Sequence, residues 1–215
     1  MDVFDPASAA LVAGGTLAAT ALRCGPAELR VTARALAGLL RRPFDPVRIR
    51  QRLSGQIGEI DRDGLLRAQA HSFDDGEFDC ATQALIRSRS IDILFAEHDR
   101  FCRSRTGDAM AATDVLHGAA DLAPVLGLAG TLLSLGSLTG AVAGGSSYAD
   151  AIAMAVTTTL YGLVLAHFIL MPLAAAIARR SAREEAERQA LVDWLARAVR
   201  RSGSHGEPRS LDNAA

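Results

Sequence analysis

Residues 155–172 read AVTTTLYGLVLAHFILMP, from Ala155 to Pro172, and lie inside a longer stretch, Ala151–Ala178, that contains no formal charge. A second stretch, Ala119–Gly144, contains a single charge, Asp121. Each is longer than the roughly 20 apolar residues that cross a hydrocarbon core of about 30 Å as a helix. The two therefore predict a pair of membrane spans joined by the short segment AGGSSYAD. The polar groups within them, three consecutive threonines, a histidine and a proline, then need a physical reason for sitting in lipid.

Composition agrees with a segregated chain. Of 215 residues 49% are hydrophobic and 22% charged, and the net charge is −1. All 23 basic residues are arginines, and they fall between Arg23 and Arg105 or between Arg179 and Arg209. Near neutrality offers nucleic acid no broad basic surface, and the charge-free stretches point to a lipid bilayer instead. The three cysteines, Cys24, Cys80 and Cys102, form neither a CxxC pair nor an even framework. His98 and Cys102 share a helical face, but two ligands do not make a metal site, and no metal and no cofactor are expected.

The uncharged stretch Pro6–Leu22 sits at the lower length limit for a span. A cleaved signal or a buried soluble helix are the competing readings; the acidic start MDVFDP lacks the basic front end of a signal, which favours a retained span. Arginine placement then orients the chain: Met1 to Asp5 and AGGSSYAD are arginine-free and face outward, whereas the segments after Arg23 and Arg179 face the cytoplasm. The expected fold class is all-α: a polytopic inner-membrane protein with three transmembrane helices and a helical cytoplasmic region, its N-terminus periplasmic and its C-terminus cytoplasmic. The division is 1–23 as the first transmembrane helix, 24–118 as the cytoplasmic helical region, 119–178 as a two-helix membrane domain, 179–201 as a cytoplasmic helix and 202–215 as a disordered tail.

Periodicity fills in the cytoplasmic part. Pro26 opens a helix with Leu29, Ala33, Leu36 and Leu40 on one face. Asp45 caps a second, with Ile49, Leu53, Ile57 and Ile60 in register. From Ile91 the stripe Leu94, Phe95, His98, Phe101 runs without a proline into the second span, predicting one helix to about Ala143, near 80 Å long. Leu191, Leu195 and Val199 continue the third span as an amphipathic helix.

Within the spans, Pro124, Gly127, Thr131, Ser134 and Ala141 form one small-residue face, and Ala151, Ala155, Thr159, Gly162 and Ala166 form another. Such faces permit close helix packing, with hydroxyls bonding their own backbone, or they line a hydrated lumen; spacing alone leaves both open. By the same angular count Thr157 and Thr158 point away from the Thr159 face. Pro124 and Pro172 fall at one level near the cytoplasmic mouth, where each would bend its helix. Asp121 reads as a helix-start residue near water or as a candidate for proton exit, and His167 as a carbonyl-bonded residue or a proton relay.

The ordered set LAPVLGLAGTLLSL, short loop and AVTTTLYGLVLAHFILMPLA resembles the paired membrane helices of the MotA, TolQ and ExbB proton-channel family. Ala123–Pro124, Gly130–Thr131, Thr159 three residues before Gly162, and Pro172–Leu173 carry the likeness. FDPASAALVAGGTLAA further resembles the second of MotA's four spans, so that the chain looks like a MotA-type subunit lacking the first. The resemblance implies a homo-oligomer, a pentamer, around a partner with one membrane helix, MotB-like or ExbD-like, whose intramembrane aspartate carries the transported ion, H+. It implies Thr131 and Thr159 as channel-lining hydroxyls, Pro124 and Pro172 as helix-bending residues at the inner mouth, and Gly127, Gly130 and Gly162 as packing positions. The apolar residues 152–154, where ExbB and TolQ carry glutamate, favour the MotA side. In flagellar MotA cytoplasmic charges engage the rotor, for which Arg87 and Arg89 are the candidates. No phosphate loop, nucleophile elbow or metal-protease signature is present, so the chain reads as no enzyme. The expected function is a subunit of a proton-conducting motor, MotA-like; an ExbB/TolQ-type energiser of outer-membrane transport and a non-conducting membrane scaffold are the alternatives.

Overall fold

The computed structural model describes residues 6–41, 44–63, 75–88, 90–141 and 148–204. Every element among them is helical: α1 (Pro6–Arg23), α2 (Pro26–Leu40), α3 (Pro46–Asp63), α4 (Gly76–Ser88), α5 (Ile91–Ala141), α6 (Tyr148–Val164), a π-helical turn (Leu165–Leu170) and α7 (Met171–Ser204). Arg89, the segments 1–5 and 142–147, and the tail beyond Ser204 lie outside the described residues. Residues 202–204, assigned to the tail from sequence, belong to α7.

Two helical stretches among the described residues are long and apolar enough to cross a membrane, 91–134 and 152–201. The 18-residue α1 is not one of them; it is rich in glycine, alanine and threonine and closes on Arg23. The helix expected from Ile91 onward runs unbroken for 51 residues through Pro124. Ahead of Pro172 the helix widens instead into a π turn, in which the Met171 N–H donates to Ala166 O. Proline has no N–H for the carbonyl of Phe168 and its ring crowds that oxygen, and a wider turn relieves the crowding.

The chain divides into two compact units: residues 1–41 with 107–180, and 42–106 with 181–215. In the first, α1 packs on α6. Its buried threonines satisfy themselves, Thr16 donating to Val12 O and Thr20 to Thr16 O, each at 2.7 Å. Helix α2 joins this unit through Val31, Ala35, Leu36 and Leu39, set against Ala112, Leu116, Ala174 and Ile177. That corrects the face expected for α2: Leu40 is 92% exposed, and Thr32, its hydroxyl donated to Glu28 O, is buried in its place. An alanine- and leucine-rich helix carries several overlapping apolar stripes, and its neighbours choose among them. Arg180 then closes the end of α2 by donating to Leu39 O and Arg41 O. Many large apolar side chains of this unit stay exposed, Leu132 at 71% and Phe168 at 77% among them, more than water tolerates on one surface.

The second unit encloses a conventional core. Ile49 and Leu53 of α3, Phe78, Ala81 and Leu85 of α4, Leu94 of α5, and Leu191, Val192, Leu195 and Val199 of α7 bury one another. The expected stripes of α3, α5 and α7 thus meet, although the side chains of Ile57 and Ile60 lie outside the described set. Full burial of Leu53 and Phe78 contributes about 1.5–3 kcal/mol each. Asp45 caps α3 as its sequence predicts, accepting from the N–H groups of Val47 and Arg48 at 3.1 and 3.2 Å.

Candidate functional site

In the first unit α5 and α6 approach at backbone level. A methyl placed on Gly162 would meet Ala123 O at 2.6 Å and Pro124 Cα at 3.2 Å; one on Gly127 would meet Thr158 O at 2.9 Å and Thr159 Cα at 3.2 Å. Gly130 faces the side chain of Thr158, whose Cβ would stand 3.1 Å away from such a methyl. At Gly162 and Gly127 only glycine admits this separation, because a Cβ would occupy the space where the opposite main chain lies. The three glycines, Pro124 and the threonines therefore come together at one crossing.

The threonines divide their roles there. Thr158, which angular counting turns away from the pair, is fully buried against Gly130 and donates to Ala155 O at 2.9 Å. A helical-wheel count centred on Thr159 turns Thr158 aside, whereas the crossing with α5 lies between the two. Thr159 and Thr131 are partly exposed beside the crossing. Their hydroxyls donate to Ala155 O at 3.3 Å and Leu128 O at 2.6 Å, which occupies the proton and leaves the oxygen lone pairs as acceptors. Ser134 is buried on the same side of α5, with its hydroxyl on Gly130 O.

Asp121 and Pro172 are exposed, and His167 is exposed within the π turn. The apolar surface around the pair is broad: Leu128 and Leu132 on α5, and Val156, Leu160 and Leu163 on α6 are all exposed, so this chain leaves the pair's outer faces open to lipid or to other helices.

A second polar constellation, in the other unit, went unread in the sequence. Glu77 of α4 is 4% exposed and binds His98 Nδ1 at 2.7 Å and Arg188 Nη1 at 2.7 Å, together with Arg105. Arg105 also holds Glu185, and Arg188 holds Asp75 and Glu184. The Arg188 guanidinium lies 4.2 Å from the centre of the Phe44 ring. Burial pushes the Glu77 carboxyl up, but hydrogen bonds from His98 and Arg105 and the charges of both arginines outweigh it and hold the group below its ordinary range. His98 is raised, chiefly by its hydrogen bond to Glu77 and against the opposing effect of burial. With both its ring nitrogens engaged, His98 is not free to join Cys102 as a ligand, and no three-residue metal-binding group occurs among the described residues. The legible signal for α4 was Asp75 two residues ahead of Glu77: its carboxylate accepts from the Glu77 N–H at 3.1 Å, an N-cap in front of an apolar run.

Comparison with known proteins bears on the crossing. Residues 96–190 match the model of the MotA/TolQ/ExbB proton channel family. The chemotaxis protein PomA of Vibrio alginolyticus is 29% identical over 116 residues, 50% of this chain and 46% of the relative. Motility protein A of Cereibacter sphaeroides is 25% identical over 134 residues, 62% of this chain and 53% of the relative. The chain thus spans about half the length of the curated relatives it matches. Among solved structures, the flagellar MotAB stator complex from Bacillus subtilis superposes with a TM-score of 0.78 at 18% identity, covering 92% of this chain and 79% of that one. The MotAB structure from C. jejuni superposes with a TM-score of 0.79 at 14% identity, covering 98% and 89%. At these identities the superpositions speak for the fold.

Proposed function

We propose that the chain, whose residues 96–190 match the MotA/TolQ/ExbB proton channel family, is the MotA-like subunit of a proton-driven stator. It forms a ring, a pentamer, around a partner with one membrane helix whose aspartate carries H+. It sits in the bacterial inner membrane with three spans, α1, the outer part of α5, and α6 with the start of α7. The N-terminus is periplasmic and the second unit cytoplasmic. Thr131 and Thr159 offer hydroxyl oxygens to a hydrated path beside the partner's carboxylate, which needs polar company at low dielectric when it changes charge. Pro124 and the π turn before Pro172 let the inner ends of the two helices flex. Asp121 stands near the inner mouth as a proton acceptor on the exit side.

The observation that carries this reading is the backbone-level crossing of α5 and α6 at Gly127, Gly130 and Gly162, inside the residues that match the family and with Thr131 and Thr159 beside it. The motility and chemotaxis names of the two relatives favour a stator over an energiser of outer-membrane transport.

The test is ion flux. The chain, co-purified with a single-span partner and placed in liposomes under a pH gradient, should conduct, and the double variant Thr131→Val, Thr159→Val should assemble normally while flux falls at least about tenfold, the effect of losing about 1.4 kcal/mol of stabilisation along the path. Unchanged flux in that variant would return both threonines to helix packing. No flux from the wild-type complex would leave a non-conducting scaffold.

A further inference from the structure

His98 joins three helices and has no part in the path described above. Its side chain is 4% exposed. Nδ1 lies 2.7 Å from Glu77 Oε1 on α4; Nε2 lies 2.8 Å from Gln189 Oε1 and 3.5 Å from Glu185 Oε1, both on α7. The amide of Gln189 is held in this sense by its own nitrogen, which donates to Asp193 Oδ1 at 3.0 Å; turning it over would set its carbonyl against that carboxylate. Both ring nitrogens therefore face acceptors. A neutral imidazole has one N–H, so one of the two contacts would bring lone pair against lone pair, whereas an imidazolium donates to both.

The surrounding charges agree. Asp75 and Glu77 lie on the α4 side, Glu184 and Glu185 on α7; the cations interleaved with them are Arg105 on α5 and Arg188 on α7. Four carboxylates against two guanidiniums leave the cluster with two excess negative charges, one of which a proton on His98 offsets. The Cys102 thiol, the other titratable group on this face of α5, is pushed up by burial and by Glu185, so it adds no charge near neutrality.

We propose that His98 is a doubly protonated clamp fastening α4 to α5 and α7, and that losing its proton loosens α4, so that the second unit is tighter when its surroundings are more acidic. The sign follows from linkage. A histidine raised above its ordinary value of about 6.5 contributes stability that is complete below that value and is lost as pH rises through the raised one. The clamp stands on the geometry of this unit alone. Joined to the proposed function, it would make a cytoplasmic unit respond to the protons the channel releases.

The experiment uses the full chain in detergent micelles or nanodiscs. Ring nitrogens labelled with 15N are followed by NMR from pH 5.5 to 9, with His98 assigned by the signal missing from His98→Gln, and amide hydrogen exchange in 77–88 is read over the same range after correction for intrinsic rates. Both His98 nitrogens should be protonated at pH 6.5 and titrate above it; α4 protection should fall as pH passes that midpoint, about tenfold for each unit by which the midpoint exceeds 6.5. His98→Gln should abolish this pH dependence. Gln189 is exposed and tolerates replacement, so Gln189→Glu should raise the midpoint and Gln189→Met lower it even if His98→Gln does not fold. A midpoint at or below 6.5, one unprotonated ring nitrogen at pH 6.5, α4 protection that does not change with pH in the wild type, or an equal pH dependence in His98→Gln would overturn the clamp. Because flux enters none of these readouts, failure of the clamp and failure of the channel reading are distinguishable.

Discussion

Replacing Gly162 by alanine tests the crossing most directly. Alanine is the better helix former by about 1 kcal/mol, so an unconstrained position should gain stability. At Gly162 the new methyl would come within 2.6 Å of Ala123 O, whereas such contacts are essentially never under 3.0 Å, so α5 and α6 must part by at least 0.4 Å along that line. Both colliding groups, Ala123 O and Pro124 Cα, are main chain in the middle of a helix and cannot rotate away. Overpacking costs about 1–3 kcal/mol, and against main chain that cannot yield the upper part of that range applies, about 2–3 kcal/mol; the gain of about 1 kcal/mol in propensity then leaves a net loss of about 1–2 kcal/mol, or roughly a 5- to 30-fold fall in the folded-to-unfolded ratio. The same geometry ranks the series. Gly127→Ala meets Thr158 O at 2.9 Å and should lose less; Gly130→Ala meets only the Thr158 side chain at 3.1 Å or more and should lose least; Gly107→Ala, with nothing within 4 Å, should gain about 0.5–1 kcal/mol. Reversible unfolding in mixed micelles by SDS titration, read by helical circular dichroism, gives each value. Wild-type stability in Gly162→Ala, or a loss in Gly107→Ala as large as that in Gly162→Ala, would refute the close approach.

Two further outcomes follow from the buried polar groups. Thr158→Val should be mild, under about 1 kcal/mol, since shape is kept and only a bond within its own helix is lost, whereas Thr158→Leu should cost about 1–3 kcal/mol against Gly130, both read in the same titration. Glu77→Leu strands Arg105, Arg188 and His98 without their shared carboxylate and should lower stability by about 3–5 kcal/mol, visible as a fall in melting temperature. In the wild type the contribution of Glu77, whose folded value is lowered, is complete above the ordinary carboxylate range and lost as pH falls through the lowered value. The His98 contribution is lost in the opposite direction, so melting temperature should peak between the two and the acid limb should vanish in Glu77→Leu.

What the chain alone determined was one-dimensional. Charge-free runs mark out the apolar helices, because a span must satisfy its own backbone and exclude charge. Stripes at helical spacing mark the core faces of α3, of the first part of α5 and of the end of α7, and Ile49, Leu53, Leu94, Leu191 and Val199 are all buried. Asp45 announces its helix because a cap is a contact of a residue with its own next turn. The glycine and threonine positions that carry the family likeness are equally visible.

Tertiary structure decided which of several equivalent faces is used. On α2 the buried face passes through Thr32 rather than Leu40, since a threonine bonded to its own helix buries as readily as an alanine and nothing local breaks the tie. On α6 the crossing picks Thr158, one residue or about 100° away from Thr159, because the contact line depends on where Gly127 and Gly130 of a separate helix sit. The Glu77–His98–Arg188 cluster joins residues up to 111 positions apart, and a pairing over that distance leaves no period or spacing in the sequence. Local rules act within a turn or two of helix; the choice among faces and the meeting of distant charges exist only once the helices pack.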